Sequence, residues 1–115
     1  MTAEKNLMLN RTLLLLCSAL FLIVLTASAQ SDSQKVFVRN CSLCHGMDGR
    51  AQSAMGRALK ASDLTSQTVQ SKSDAELNTQ IAKGKGKMAG YENILGQKGV
   101  EDMVKYVRTL APKKQ

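Results

Sequence analysis

The sequence is poor in the residues that build a large apolar core or a metal site with several imidazoles. It has no tryptophan, one proline, one histidine, two tyrosines and two phenylalanines, and aromatic side chains make up 3% of its 115 residues. A single histidine excludes any site that needs two imidazole ligands. So few aromatic side chains make a thin core, and small domains often depend on a further stabilising group. The length allows one domain and no more.

The first part of the chain has the pattern of an export signal. Two basic residues precede an apolar run at 12–27, and the A-x-A pattern of a cleavage site ends at Ala29. The run of about 16 residues is shorter than the roughly 20 needed to cross a bilayer as a helix. We therefore predict a signal peptide over residues 1–29, a mature domain over residues 30–115 and a periplasmic location. The alternative is a retained N-terminal anchor, which would leave the domain membrane-bound and facing the periplasm.

Helical periodicity interrupted by glycine-containing loops dominates the mature domain, and no segment has the pattern of a strand. The clearest start signal is Ser73-x-x-Glu76, a capping box in which each residue satisfies a free backbone N–H of the other. The predicted helices cover residues 33–44, 73–84 and 99–111, with a short helix at 52–60 and irregular structure at 63–72. We therefore expect an all-α domain of three to four helices.

The sequence C-S-L-C-H at residues 41–45 carries the most specific chemical signal in the chain. Its spacing places two thiols one helical turn apart, which matches the two vinyl groups on one edge of a haem, and the following histidine can bind the iron. A redox dithiol would need a βαβ setting, and a disulfide would leave His45 without a role. A zinc site would need carboxylates, because the mature domain holds two cysteines and one histidine. Covalent haem c attached through Cys41 and Cys44 is therefore the favoured interpretation.

A six-coordinate haem iron needs a second axial ligand, and methionine is the remaining donor. Met47 follows His45 too closely to reach the opposite face of the ring, and Met55 could reach it only through a very short loop. Met103 belongs to the apolar stripe of the last helix. Met88 lies in the segment K-G-K-G-K-M-A-G, whose glycines let the backbone bend closely around a flat ring. The sequence therefore predicts His45 and Met88 as the two iron ligands.

Over essentially all of residues 33–111, the chain resembles a class I cytochrome c of the small soluble bacterial kind. The resemblance is carried by the G-M-D-G that follows the haem motif, by G-K-G-K-M at 84–88 and by the aromatic-containing terminal helix at 104–110. It implies the cytochrome c fold around one covalently bound haem. It also implies thioethers at Cys41 and Cys44, with His45 as the proximal ligand and Met88 as the distal ligand.

The resemblance also assigns packing roles, and the sequence departs from the family in two places. Tyr106 would pack where the first and last helices cross, with Phe37 as its neighbour, and Leu64 and Tyr91 would line the haem pocket. The family commonly has proline after the axial methionine, where this chain has Ala89. It also favours glycine at the helix crossing, where this chain has Ser33. Because proline stiffens a loop, its absence predicts a somewhat more labile Met88 ligand.

These features predict an electron carrier rather than an enzyme, with the iron cycling between its ferric and ferrous states as single electrons pass. Lys83, Lys85 and Lys87 would then steer redox partner proteins that have acidic docking surfaces, or would merely keep the loop solvated. We expect a monomer, and no nucleic-acid partner because the positive charge is scattered and the protein is exported. Two alternatives are a haem enzyme or gas sensor, which would require Met88 to dissociate easily, and a haem subunit docked permanently to a dehydrogenase.

Overall fold

The chain winds through helices joined by glycine-containing loops over residues 32–113, the part that the computed structural model describes. The predicted signal segment, residues 1–29, lies outside the described residues. Within the described part, helix α1 covers residues 32–40, and the helices that follow are α2 (Ser42–His45), α3 (Ala54–Leu59), α4 (Gln67–Gln70), α5 (Asp74–Lys83) and α6 (Glu92–Thr109). No strand occurs among these residues, where one isolated bridge joins Lys85 and Met88. The predicted all-α fold is confirmed.

The boundaries of the first and last helices differ from the prediction. The helix expected over 33–44 breaks at Cys41, which acts as the N-cap of the separate turn α2. Helix α6 begins at Glu92 rather than at Gly99 and is kinked at Gly96, where φ is 67° and ψ is 171°. A glycine adopts these angles without steric conflict, so a short first turn and a long second segment follow each other directly.

The segment predicted to be irregular contains a helical turn and is bound to α6. Ser66 caps α4 by accepting a hydrogen bond from the Val69 amide. The side-chain amide of Gln70 donates to the Val107 carbonyl at 3.0 Å. The guanidinium of Arg108 in turn donates to the Gln70 carbonyl at 2.8 Å. Side chains that are distant in sequence therefore hold this segment in place.

Helix α5 has the ends that the sequence predicts. The Ser73 hydroxyl accepts from the Glu76 amide at 3.1 Å, and the Glu76 carboxylate accepts from the Ser73 amide at 2.7 Å. The carboxylate also accepts from the Ser73 hydroxyl at 3.0 Å, and the two hydrogen bonds that it accepts, first that from the amide, lower the pKa of Glu76. The helix ends at Gly84, where φ is 79°. The predicted capping box and glycine stop are both confirmed.

The core forms where α1, α5 and α6 meet. Its largest fully buried side chains are Phe37, Val100 and Met103. The rings of Phe37 and Tyr106 lie 5.0 Å apart at an interplanar angle of 41°, so the predicted neighbours do meet, although α1 carries Ser33. The remaining buried members are Val69, Leu77, Ile81, Val104 and Val107. Within the described part, no helix has the length and apolar character needed to cross a membrane.

Candidate functional site

The two cysteines and the histidine of the C-S-L-C-H segment lie on one helical turn. The amides of Cys44 and His45 both donate to the Cys41 carbonyl, at 3.2 Å and 2.9 Å. Both thiols are free and half-buried. Burial, and then the charge on Cys44, raise the pKa of the Cys41 thiol to about 11. Redox dithiols depend on a lowered cysteine pKa, so this environment does not favour the dithiol alternative.

The imidazole of His45 is oriented by a backbone carbonyl far along the chain. Its Nδ1 lies 2.9 Å from the carbonyl oxygen of Ser62. A carbonyl can only accept, so Nδ1 carries a proton, and in the neutral imidazole Nε2 then has the free lone pair. A hydrogen bond of this kind fixes the tautomer and orientation of a metal-binding histidine. Ser62 was missed by the sequence reasoning, because nothing in an irregular loop signals which carbonyl will face the ring.

Helix α3 lies directly against the haem-motif turn because Gly56 has no side chain. A Cβ on Gly56 would come within 2.3 Å of the Cys44 carbonyl oxygen and 2.6 Å of the Ala51 carbonyl oxygen. The Ser53 hydroxyl adds a contact by donating to the Leu43 carbonyl at 2.9 Å. Gly56 was also missed by the sequence reasoning, where it appeared as an ordinary residue of a short helix.

Met88 lies in a two-residue hairpin whose shape depends on glycine. The amide of each of Lys85 and Met88 donates to the carbonyl of the other at 3.0 Å, and Gly86 between them has φ of 58°. A Cβ on Gly84 would lie 2.4 Å from the Met88 carbonyl oxygen, so the loop packs closely against its own base. These hydrogen bonds stiffen the segment that precedes Ala89, although that position lacks the proline of the family pattern.

The four candidate methionines differ in burial. Met88 is half-buried and packs against the core cluster, as Cys41 does. Met103 is 2% exposed and is enclosed by core side chains, so it has the packing role that the sequence suggests. Met47 and Met55 are 66% and 42% exposed. Met88 is therefore the candidate that combines a half-buried side chain with a position in a loop.

Tyr91 and Leu64 also lie against the core cluster. Both side chains are half-buried there, and the Leu64 amide donates to the Gly49 carbonyl at 2.8 Å. Burial, and then the charges on Cys41 and Cys44, raise the pKa of Tyr91. The tyrosine therefore lies beside the cysteine pair.

The described residues fit a covalent haem better than the alternative of zinc. Two free thiols share a turn with His45, whose Nε2 is available, and the thioether of Met88 is half-buried on the same core. Among residues 32–113, no group of three or more His, Cys, Asp or Glu side chains lies close enough together to hold a metal ion. That part of the chain has no buried polar or charged residue to conflict with an apolar ring. The donor set thus suits a haem attached through the two thiols.

The three lysines near Met88 do not have equivalent surroundings. Lys83 forms an ion pair with Glu92 at the base of the loop. Lys85 and Lys87 are exposed and form no ion pair with any residue of the described part. The unpaired positive charge beside Met88 therefore comes from Lys85 and Lys87.

Comparisons with known proteins extend over most of the chain. The model of a family described as cytochrome c oxidase, cbb3-type, subunit III matches residues 28–107, a range that includes Cys41, His45 and Met88. A solved structure, the KustC0563 c-type cytochrome, is 27% identical with a TM-score of 0.64, and the similarity covers 70% of this chain and 98% of that one. No curated protein matches the chain.

Proposed function

The chain belongs to the cytochrome c family described as cbb3-type oxidase subunit III, and we propose that it is an exported carrier of single electrons with one haem. Membership of that family means electron transfer through a covalently attached haem c. The observation that carries the proposal is the C-S-L-C-H turn, in which His45 has its Nδ1 bound to Ser62 and its Nε2 free. The proposed partners are redox proteins with acidic docking surfaces.

Each residue of the site has a distinct role in this proposal. Cys41 and Cys44 would hold the haem through thioethers, and His45 and Met88 would be the two ligands of its iron. A bound haem supplies an iron that changes between its ferric and ferrous states. The half-buried Tyr91 and Leu64 keep water from the ring, and this shielding tunes the potential.

The choice of Met88 is supported by burial and by loop geometry. Its hairpin is closed by two hydrogen bonds of 3.0 Å, so the sulfur is carried on a defined backbone rather than on a loose one. With His45 and Met88 both bound, the iron would have no open coordination site for a substrate. This is the physical reason to favour a carrier over a haem enzyme or gas sensor.

The ferric absorption spectrum of the protein, purified from a host that matures c-type cytochromes, tests the proposal. Acid–acetone extraction should leave the haem on the polypeptide at one per chain, whereas extractable haem would refute covalent attachment. Met88→Ala should abolish the methionine–iron charge-transfer band and raise the affinity for cyanide. Met55→Ala is the matched control and should keep the band. Loss of the band in the Met55 variant alone would show that the ligand is misassigned.

Export is tested by the mass of the purified chain. Cleavage after Ala29 predicts a soluble periplasmic protein that begins at Gln30. An intact N-terminus together with recovery in the membrane fraction would support the anchored alternative instead.

A second candidate function is that of a haem-bearing subunit of a larger complex. The description of the family, a subunit of a cbb3-type oxidase, favours it. Gentle detergent extraction of the native host followed by size-exclusion chromatography separates the two cases. A free carrier elutes at the size of a monomer, while a subunit elutes with the oxidase or dehydrogenase that holds it.

A further inference from the structure

Tyr91 connects the Met88 loop to the backbone immediately before the first haem-binding cysteine. It lies three positions after Met88, and its phenolic hydroxyl donates to the Asn40 carbonyl at 2.9 Å, across 51 positions of the sequence. Its backbone amide donates to the Ile81 carbonyl in α5, also at 2.9 Å. One residue thus contacts the base of the methionine loop and the end of α1.

The Asn40 carbonyl is available because α1 stops there. In a continuous helix this oxygen would accept from the amide of Cys44, but that amide donates to the Cys41 carbonyl at 3.2 Å. The last carbonyls of a helix need partners from outside it. The break at Cys41, which creates the haem-motif turn, therefore also creates the acceptor that Tyr91 uses.

The other hydrogen bonds and ion pairs of the loop, within residues 32–113, do not reach α1. The hairpin bonds between Lys85 and Met88 define its internal shape, and the ion pair between Lys83 and Glu92 joins its base to α6. Within the described part, the hydrogen bond of the Tyr91 hydroxyl is the one that joins the loop and its base, residues 83–92, to α1.

We propose that Tyr91 is a positioning residue for the axial methionine. Its phenolic hydroxyl holds the Met88 loop at a set distance from the turn formed by residues 41–45. The inference rests on the proposed ligation by His45 and Met88. A sulfur–iron bond requires the loop to stay close to the attachment turn, and a ligand from solution can enter when the loop moves away. Loss of the Tyr91 hydrogen bond favours that movement without removing the sulfur.

The test is a cyanide titration of the ferric holoprotein with Tyr91→Phe. The variant keeps the ring and loses the hydroxyl. Its cyanide affinity should rise about two- to tenfold, the range expected for the loss of one net hydrogen bond from the closed state. The methionine–iron band should persist at lower intensity, because Met88 is still present.

Two control variants separate positioning from general destabilisation. Tyr106→Phe removes the hydroxyl of the second tyrosine, which has no hydrogen-bond partner among residues 32–113. This variant should leave the cyanide affinity unchanged. Val100→Ala lowers the free energy of unfolding through a residue that is 1% exposed, and should also leave the affinity near that of the wild type. An equal rise in affinity in Val100→Ala and Tyr91→Phe would overturn the proposal.

The methionine variant distinguishes failure of this inference from failure of the proposed function. Wild-type cyanide affinity in Tyr91→Phe, with the band abolished by Met88→Ala, would overturn the positioning role and leave the ligation intact. A charge-transfer band that survives Met88→Ala would overturn both.

Discussion

Gly84 and Gly86 allow a controlled test of how closely the Met88 loop packs against its own base. Both have positive φ, at 79° and 58°, so alanine at either position would be held in an unfavourable backbone conformation. They differ in space, because a Cβ at Gly84 would lie 2.4 Å from the Met88 carbonyl oxygen and 2.7 Å from the Gly90 nitrogen. A Cβ at Gly86 would have no atom within 4 Å. The pair therefore separates backbone strain from steric overlap.

The expected magnitudes follow from these two contributions. Backbone strain at a position that favours glycine costs about 1–3 kcal/mol. Overpacking adds about 1–3 kcal/mol where the neighbouring atoms belong to the backbone and cannot rotate away. Gly86→Ala should thus lower the free energy of unfolding by about 1–3 kcal/mol, and Gly84→Ala by about 2–6 kcal/mol. Because the overlap is with the backbone of Met88, Gly84→Ala should also weaken the methionine–iron band.

Urea unfolding of the ferric holoprotein, followed by far-UV circular dichroism, measures the two losses. The absorption spectrum before unfolding reports the methionine ligand separately. Equal losses in the two variants, with an unchanged band in Gly84→Ala, would show that the loop has room for a side chain at its base. The close packing described here would then be wrong.

Three further predictions concern the lysines near Met88 and the capping box of α5. Lys85→Gln and Lys87→Gln should each slow the reduction of the protein by an acidic partner, measured by stopped flow, and should make the rate depend less on salt. Lys83→Gln should change the rate less, because Glu92 already offsets the charge of Lys83. Equal effects of all three substitutions would contradict this assignment. Ser73→Ala should cost about 1 kcal/mol in urea unfolding through loss of the N-cap. The pKa of Glu76 is lowered in the folded state, so its contribution is complete above its unfolded pKa and disappears as the pH falls through the folded value. The stability of Glu76→Gln should therefore approach that of the wild type in acid, and a difference that does not change with pH would refute this reasoning.

Local spacing was enough to predict the chemistry and the main elements. Two cysteines and a histidine within five positions fall on one turn wherever the backbone is helical, so the haem motif could be identified without a tertiary structure. The same holds for the capping box at Ser73 and for the buried stripe of α6, since both depend on residues three or four positions apart. The fold predicted from these short-range patterns is confirmed by the family and structural comparisons.

The sequence by itself thus predicted which residues would bind a haem, and the tertiary structure decided how these side chains are held. The partner of His45 is a carbonyl 17 positions away, and the partner of Tyr91 is a carbonyl 51 positions away. Backbone acceptors look alike in a sequence, and which of them is left free depends on where a helix breaks. The helix break at Cys41 leaves the Asn40 carbonyl for the Tyr91 hydroxyl, and a pattern of residue types three or four positions apart cannot specify a contact over that separation.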